Sequence, residues 1–288
     1  MTRSFDFGPG SLRLISAEHL VGDLMKSVRY IGRSQPAEQY PPMEPAFDSG
    51  AIVPAFDSSV PCQDWLRSNP NPAAKSSFWA CKAYLEPYVK ALYDLDVLSP
   101  SKISGIEQNA QIGTWAKELL IPFFADVFGE SADLVPSGAT LDRPNQVTTS
   151  VNRKTGSRVG LHVDTFRMQP IRSREGEKYR CVVNIGMQPR MFVFDPRHSA
   201  DILRDESVGV VPDETGSFSP TSAIRRKSML EPLQLFAMTL QPGEAYIAPT
   251  EVIVHDGSTF GISGFGAMYT FRGWFDERRI GKLATKMA

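Results

Sequence analysis

From Asp133 onward the chain breaks into short runs rich in β-branched and aromatic residues: "QVTTSVN", "RVGLHVD", "YRCVVNIG", "MFVFD", "LQLFAMTL", "EAYIAP", "VIVHD" and "AMYTFRGWF". Most are bounded by Gly, Pro, Asn or Asp, as strand ends are. None has the length of an ordinary helix. Strands joined largely by turns cannot lie parallel, because a parallel pair needs a crossover of a dozen or more residues. The pattern therefore predicts a double-sheet jelly roll, within an α+β chain whose core is mainly β. "VNRKTGSRV" predicts a tight hairpin around Lys154-Thr155-Gly156.

The front of the chain reads differently. Leu20, Leu24, Val28 and Ile31 recur at helical spacing, with Ser16 as an N-cap. "SSFWACKAYLEPYVKALYDL" is helix material interrupted by Pro87. Ile112, Trp115, Leu119, Phe123 and Val127 form one helical stripe with Gly129 as its stop. Residues 1–130 are thus expected to be helix-rich and 131–288 to hold the jelly roll, the two packed as one unit. Two segments interrupt this plan. Residues 36–61 are proline-rich and carry "PAFDS" twice, which predicts an extended connection covering something. Residues 199–231 are polar and long for a connection, which makes them a lid candidate.

A hydrophobic share of 42% over 288 residues is enough for a sizeable core. With 31 basic and 32 acidic residues the net charge is -1, so no overall field favours nucleic acid or an anionic membrane. No apolar run is long enough to span a bilayer, and the N-terminus has no signal-peptide core. Cys62, Cys81 and Cys181 form no CxxC pair, which points to a reducing cytoplasm. A homo-oligomer is left open.

Within "SRVGLHVDTF", His162 and Asp164 are two apart, so in an extended run they share a face. Such a pair taken alone is most often a hydrogen-bonded pair. With one more imidazole it becomes the two-histidine, one-carboxylate set of non-haem Fe(II). Of the other histidines, His255 closes an apolar strand in "EVIVHDGST" and is the best third ligand. His198 sits in a turn-like "FDPRHSAD", and His19 in the first helical pattern. Arg272 is embedded in an apolar strand beside Thr270, and a guanidinium there needs an anionic partner. Arg180, on one strand face with Asn184, and Arg190 add cations near apolar strands. The basic loop holding Arg167 and Arg172 reads as solvated, though it stands where a substrate carboxylate could approach.

"GLHVDTF", "PGEAYIAPTEVIVHDGST" and "MYTFRGWF" together resemble the Fe(II)/2-oxoglutarate-dependent dioxygenases, over about residues 130 to 275. Within them the chain is most similar to small bacterial hydroxylases of amino acids. The resemblance implies a cupin-like double-stranded β-helix, with His162, Asp164 and His255 as iron ligands. It implies Arg272 as the anchor of the distal 2-oxoglutarate carboxylate. Many members carry Arg-x-Ser there, where this chain has Arg272-Gly273-Trp274, so Thr270 could replace the serine, or Arg180 or Arg190 the anchor. Asn184 would join that co-substrate group, and Thr165, Arg167, Arg190 and Trp274 the substrate side. The implied reaction consumes 2-oxoglutarate and O2, releases succinate and CO2, and hydroxylates a small polar substrate such as an amino acid. Asp164 disfavours halogenation, since the related halogenases have a small residue there. Other readings are a desaturase or cyclase, an oxidase without 2-oxoglutarate, and a non-catalytic cupin-like binding protein.

Overall fold

The computed structural model describes residues 2–6, 13–17, 27–41, 45–68, 79–84, 106–167, 169, 171–174, 176–203 and 220–285. In chain order these form β1 (Thr2–Asp6), β2 (Arg13–Ala17), β3 (Val28–Pro36), β4 (Ile52–Pro54), β5 (Val60–Pro61) and α1 (Cys62–Ser68). β6 (Trp79–Tyr84), the long helix α2 (Ile106–Phe128) and β7 (Val135–Asp142) follow. Next come β8 (Tyr179–Asn184), β9 (Arg190–His198), α3 (Ser199–Ile202) and α4 (Pro220–Leu230). The chain then runs through β10 (Gln234–Leu240), β11 (Glu244–Ala248), β12 (Ile253–Ser258), β13 (Gly266–Gly273) and α5 (Ile280–Thr285).

Two mostly antiparallel sheets organise these strands. One runs β1-β2-β6-β11-β8-β13-β7, and the other β12-β9-β10-β3-β4 with β5 also on β3. β2 and β6 form a parallel pair. Alternation along each strand builds three layers of core. Val182, Tyr246, Phe192, Phe194, Phe236 and Met238 meet between the sheets, and the rings of Phe192 and Tyr246 stack at 4.1 Å. Their neighbours Cys181, Val183, Ala245 and Ile247 face α2, where Phe124 lies 4.7 Å from Phe271. On the far side Val193, Leu235 and Ala237 face Ala223 and Ile224 of α4. The order is helix, sheet, sheet, helix.

α2 carries the stripe that the sequence predicts, with Ile112, Phe123 and Val127 buried. It contains Pro122 and ends at Gly129, whose φ of 81° is the left-handed conformation of a helix stop. A side chain there would also meet Arg279 Nη1 at 2.8 Å.

Two helical expectations for the front are corrected. Val28 and Ile31 belong to β3, where Val28 points between the sheets and Ile31 to the outer layer. Residues three apart share a helix face but oppose each other in a strand, so the apparent stripe was a coincidence of spacing. Leu20 and Leu24 lie outside the described residues. Trp79–Tyr84 is β6, paired with β11, and Pro87 lies outside the described residues. Strands from both sides of residue 130 therefore share both sheets.

In the second half, β8 to β13 match the expected runs. "QVTTSVN" and "RVGLHVD" are not regular strands; they are extended chain with isolated bridges at Val151, Arg158 and His162. The expected hairpin forms, with Asn152 N donating to Ser157 O at 2.8 Å and Gly156 N to Asn152 O at 2.8 Å. β7 was missed, because "VPSGATLD" carries Pro136 and Gly138. Both are tolerated here since β7 is a sheet edge. Among the described residues no helix is long and apolar enough to cross a membrane.

Candidate metal centre

The extended run Arg158–Asp164 lies between the proline-rich segment and β12. Arg158 N donates to Ala46 O at 2.7 Å and Leu161 N to Ile52 O at 2.8 Å. On its other edge His162 and His255 exchange both backbone hydrogen bonds, His162 N to His255 O at 3.1 Å and the return at 2.8 Å. Asp164 N donates to Thr250 O at 3.0 Å, and α4 adds Thr221, whose Oγ1 accepts Val163 N at 3.2 Å. Gly160 makes this close approach possible. Its φ is 74°, and a Cβ would sit 2.6 Å from Ile52 O.

The pairing brings three side chains together. One ligand atom from each of His162, Asp164 and His255 lies within 4.8 Å of the others. Nε2 of His162 is 3.7 Å from Asp164 Oδ1, and Nε2 of His255 is 3.7 Å from Asp164 Oδ2. Nδ1 of His162 faces Gly160 O at 2.9 Å, and Nδ1 of His255 faces Ile253 O at 3.2 Å. A proton on each Nδ1 satisfies these carbonyls and turns Nε2 toward the centre. His255 Nε2 is buried and makes no hydrogen bond, while Asp164 Oδ2, also buried, has the cation of Arg180 at 2.9 Å. Buried polar atoms without hydrogen bonds are costly, and convergent ones fit a cation. The residues present therefore suit a divalent transition metal with open positions.

Electrostatics sharpen the assignment. Burial raises the Asp164 pKa, but Arg180, with Nη2 at 2.9 Å, and the two imidazoles outweigh it and hold the carboxyl well below its usual range. Burial, with the like charges of His162 and Arg180 adding to it, keeps His255 down at about 4 against the pull of Asp164. Burial also lowers His162, yet the Asp164 and Asp256 carboxylates overcome it and lift the imidazole to about 10. Asp256 is fully buried, with Oδ2 3.6 Å from His162 Nδ1.

A cleft of about 520 Å³ opens on His162 and Asp164, with Arg180 and Thr270 in its wall. Arg180 is thus at the site. Arg272 stands opposite Arg180 on the β8–β13 ladder, but its guanidinium covers the Phe166 ring at 3.6 Å and lies 4.0 Å from Glu251 Oε1. Arg190 is buried against Asp142 at 3.3 Å and bonds Met268 Sδ. Asn184 is spent on the β8–β9 turn: Nδ2 donates to Gln188 O and Leu240 O, and Oδ1 accepts Gly186 N. It offers the cleft no free amide donor, against expectation. Thr165 lines a second recess of about 300 Å³ beside the same two ligands. Arg167 is largely exposed, 3.7 Å from Glu177, and Trp274 is 38% exposed, its backbone N–H donating to Ala132 O. His198 ends β9, is buried, and caps α3 by accepting Ala200 N. His19 lies outside the described residues. The thiols of Cys62 and Cys81 are buried and pushed up to about 12.

Sequence reasoning missed four groups around this centre. Arg174 is 1% exposed and donates to Asp164 O at 2.9 Å, Thr165 Oγ1 at 3.2 Å and Gln169 O at 2.9 Å. It comes from the basic loop expected to be solvated. Glu251 is 2% exposed, and burial with Glu177 nearby raises its pKa to about 7. Asp256 and Arg158 complete the group; only the "HD" pairing of Asp256 with His255 gave any signal.

No protein family and no curated protein matches the sequence. Among solved structures, the Kdo hydroxylase KdoO, a non-haem Fe(II) α-ketoglutarate-dependent dioxygenase, superposes in several states. Its cobalt(II) complex gives a TM-score of 0.40 at 15% identity, covering 71% of this chain and 82% of that one. Its succinate and Fe(III) complex gives 0.38 at 17% identity over the same shares. The complex with α-ketoglutarate and Fe(III) gives 0.33 at 15% identity, covering 92% of this chain and 77% of that one. At these TM-scores the likeness carries no argument about chemistry.

Proposed function

We propose that the chain is a non-haem Fe(II)/2-oxoglutarate-dependent oxygenase that hydroxylates a C–H bond of a small polar molecule, an amino acid or its derivative being the first class to test. One observation carries this reading. Two imidazoles and a carboxylate converge from the extended run 158–164 and β12, with His255 Nε2 buried and free of hydrogen bonds. Strand order supports the jelly-roll part of it. Counting from β7, with the 158–164 run second, one sheet holds strands six, three, eight and one, and the other two, seven, four and five.

His162, Asp164 and His255 would hold the iron beside the cleft. Bound iron and 2-oxoglutarate would together supply reductive activation of O2, with succinate and CO2 as co-products. The protein's part is orientation and charge. The Gly160 and Ile253 carbonyls fix both ring tautomers, and Arg174 fixes the backbone of Asp164 from behind. Arg180 and Thr270, both on the cleft wall, are assigned the co-substrate carboxylate. Arg190 is committed to Asp142, and Arg272 is the backing cation across the ladder.

The test is anaerobic. Fe(II) and then 2-oxoglutarate are added to metal-free protein while the weak visible charge-transfer band of the chelated co-substrate is recorded. The band is expected in the native protein and absent in His162→Ala. Arg180→Ala should weaken 2-oxoglutarate binding by about tenfold or more. Iron binding without a band would favour the oxidase that draws its electrons from substrate. No iron binding would end the proposal.

A further inference from the structure

The cleft above the metal ligands has an unbalanced charge. Among the described residues its lining carries four arginines, Arg143, Arg153, Arg158 and Arg180, two aspartates, Asp142 and Asp164, and the imidazole of His162. Both aspartates are already engaged. Asp142 lies 3.3 Å from the buried Arg190, and Asp164 is a metal ligand faced by Arg180 at 2.9 Å. Arg158 is buried, held by Thr148 O and balanced by Asp256. Arg143 and Arg153 are exposed and have no ion-pair partner among the described residues. Burial lowers the Arg158 pKa, and Arg143 adds to this as a like charge.

A divalent metal and a dicarboxylate co-substrate bring equal and opposite charge, so together they leave this surplus in place. Two forked, always-charged donors at a concave mouth suit an anion with several oxygens. The cleft, at about 520 Å³, has room for a second small molecule beside the co-substrate.

We infer that the molecule acted upon is an anion, a carboxylate or a phosphate ester, whose charged end is bound by Arg143 and Arg153 while its uncharged part points down the cleft toward His162 and Asp164. This rests on the oxygenase reading for what happens to the substrate, but not for its binding. A neutral substrate would leave the like charges of Arg143 and Arg153 in one cleft lining with no counter-charge added. An anion relieves that repulsion, and the outer position of both arginines lets them draw it in at low salt.

The experiment uses metal-free full-length protein with no 2-oxoglutarate, so the binding measured is independent of the iron site. Phenyl phosphate, phenylacetate and the neutral phenylacetamide are titrated in turn and followed by ligand-observed NMR. At least one anion is expected to bind about tenfold or more tighter than the amide, and to weaken as salt is raised. The Arg143→Gln/Arg153→Gln variant should lose about tenfold in anion affinity, and Arg143→Lys/Arg153→Lys should keep most of it. Preference for phenyl phosphate would narrow the class to phosphate esters, and preference for phenylacetate to carboxylic acids such as amino acids. The inference is overturned if the amide binds as tightly as the anions, if no anion binds, or if the folded glutamine variant binds like the native chain. Should that variant not fold, salt-independent anion binding by the native protein would overturn it equally. Iron binding without anion selectivity would refute this inference alone, and anion selectivity without iron binding would refute only the oxygenase.

Discussion

At the scale of single residues, the two imidazoles of the centre differ although both are buried. His162 sits between Asp164 and Asp256 and is lifted to about 10; His255 lacks the second carboxylate and stays at about 4. In metal-free protein at pH 7.5, His162 therefore carries a proton on Nε2 and His255 does not. A metal must displace that proton, so binding should release about one proton per ion. Calorimetry in two buffers of different ionisation enthalpy reads this directly, and release near zero would contradict the assignment. The same shift has a sign for stability. A folded pKa raised above the unfolded 6.5 means that the pairing of His162 with its carboxylates is fully present below about pH 6.5 and lost as pH rises through about 10. The closeness of His162 and Asp164 was legible because residues two apart in an extended run share a face, and His255 because it closes an apolar strand. Arg174, Glu251 and Asp256 were not, since a charge is buried or solvated according to what the fold lays against it. Two arginines of "TFRMQPIRSR" make the point: Arg167 is exposed and Arg174 is sealed under Asp164.

Among the elements, legibility followed regularity of alternation. β8 to β13 were readable because each alternates between two buried faces and is closed by turn residues. α2 was readable because its stripe persists for several turns. β3 and β6 were misread because short segments of mixed polarity fit a helical period as well as a strand, and pairing with β10 and β11 decided the matter. β7 carries Pro136 and Gly138, which a central strand would exclude and an edge allows. The attachment of α2 yields a magnitude. Phe124 is fully buried between Phe128, Phe271 and Phe275, with ring centroids 4.7 to 6.4 Å apart. Phe124→Ala should cost about 3–5 kcal/mol in denaturant unfolding, because the aromatic cluster cannot close over the cavity. A loss under about 1 kcal/mol would mean that α2 is not part of the cooperative unit.

For the whole molecule, the ordering helix, sheet, sheet, helix buries both faces of both sheets. It leaves the mouth between the sheets as the place where polar groups can gather. In the proline-rich segment, Ala46 and Ile52 hold one edge of the run 158–164 while β12 holds the other. That run is joined to β12 at His162 and His255 by a single two-bond bridge. Each of the two amide hydrogens is shielded by the other residue's carbonyl, so neither can meet solvent unless both do. In deuterium exchange the His162 and His255 amides should therefore behave as one opening event with a common rate, distinct from the interior of β9. A metal spanning the two side chains should slow that event by a single shared factor, and separate rates would show that the clasp has two independent halves.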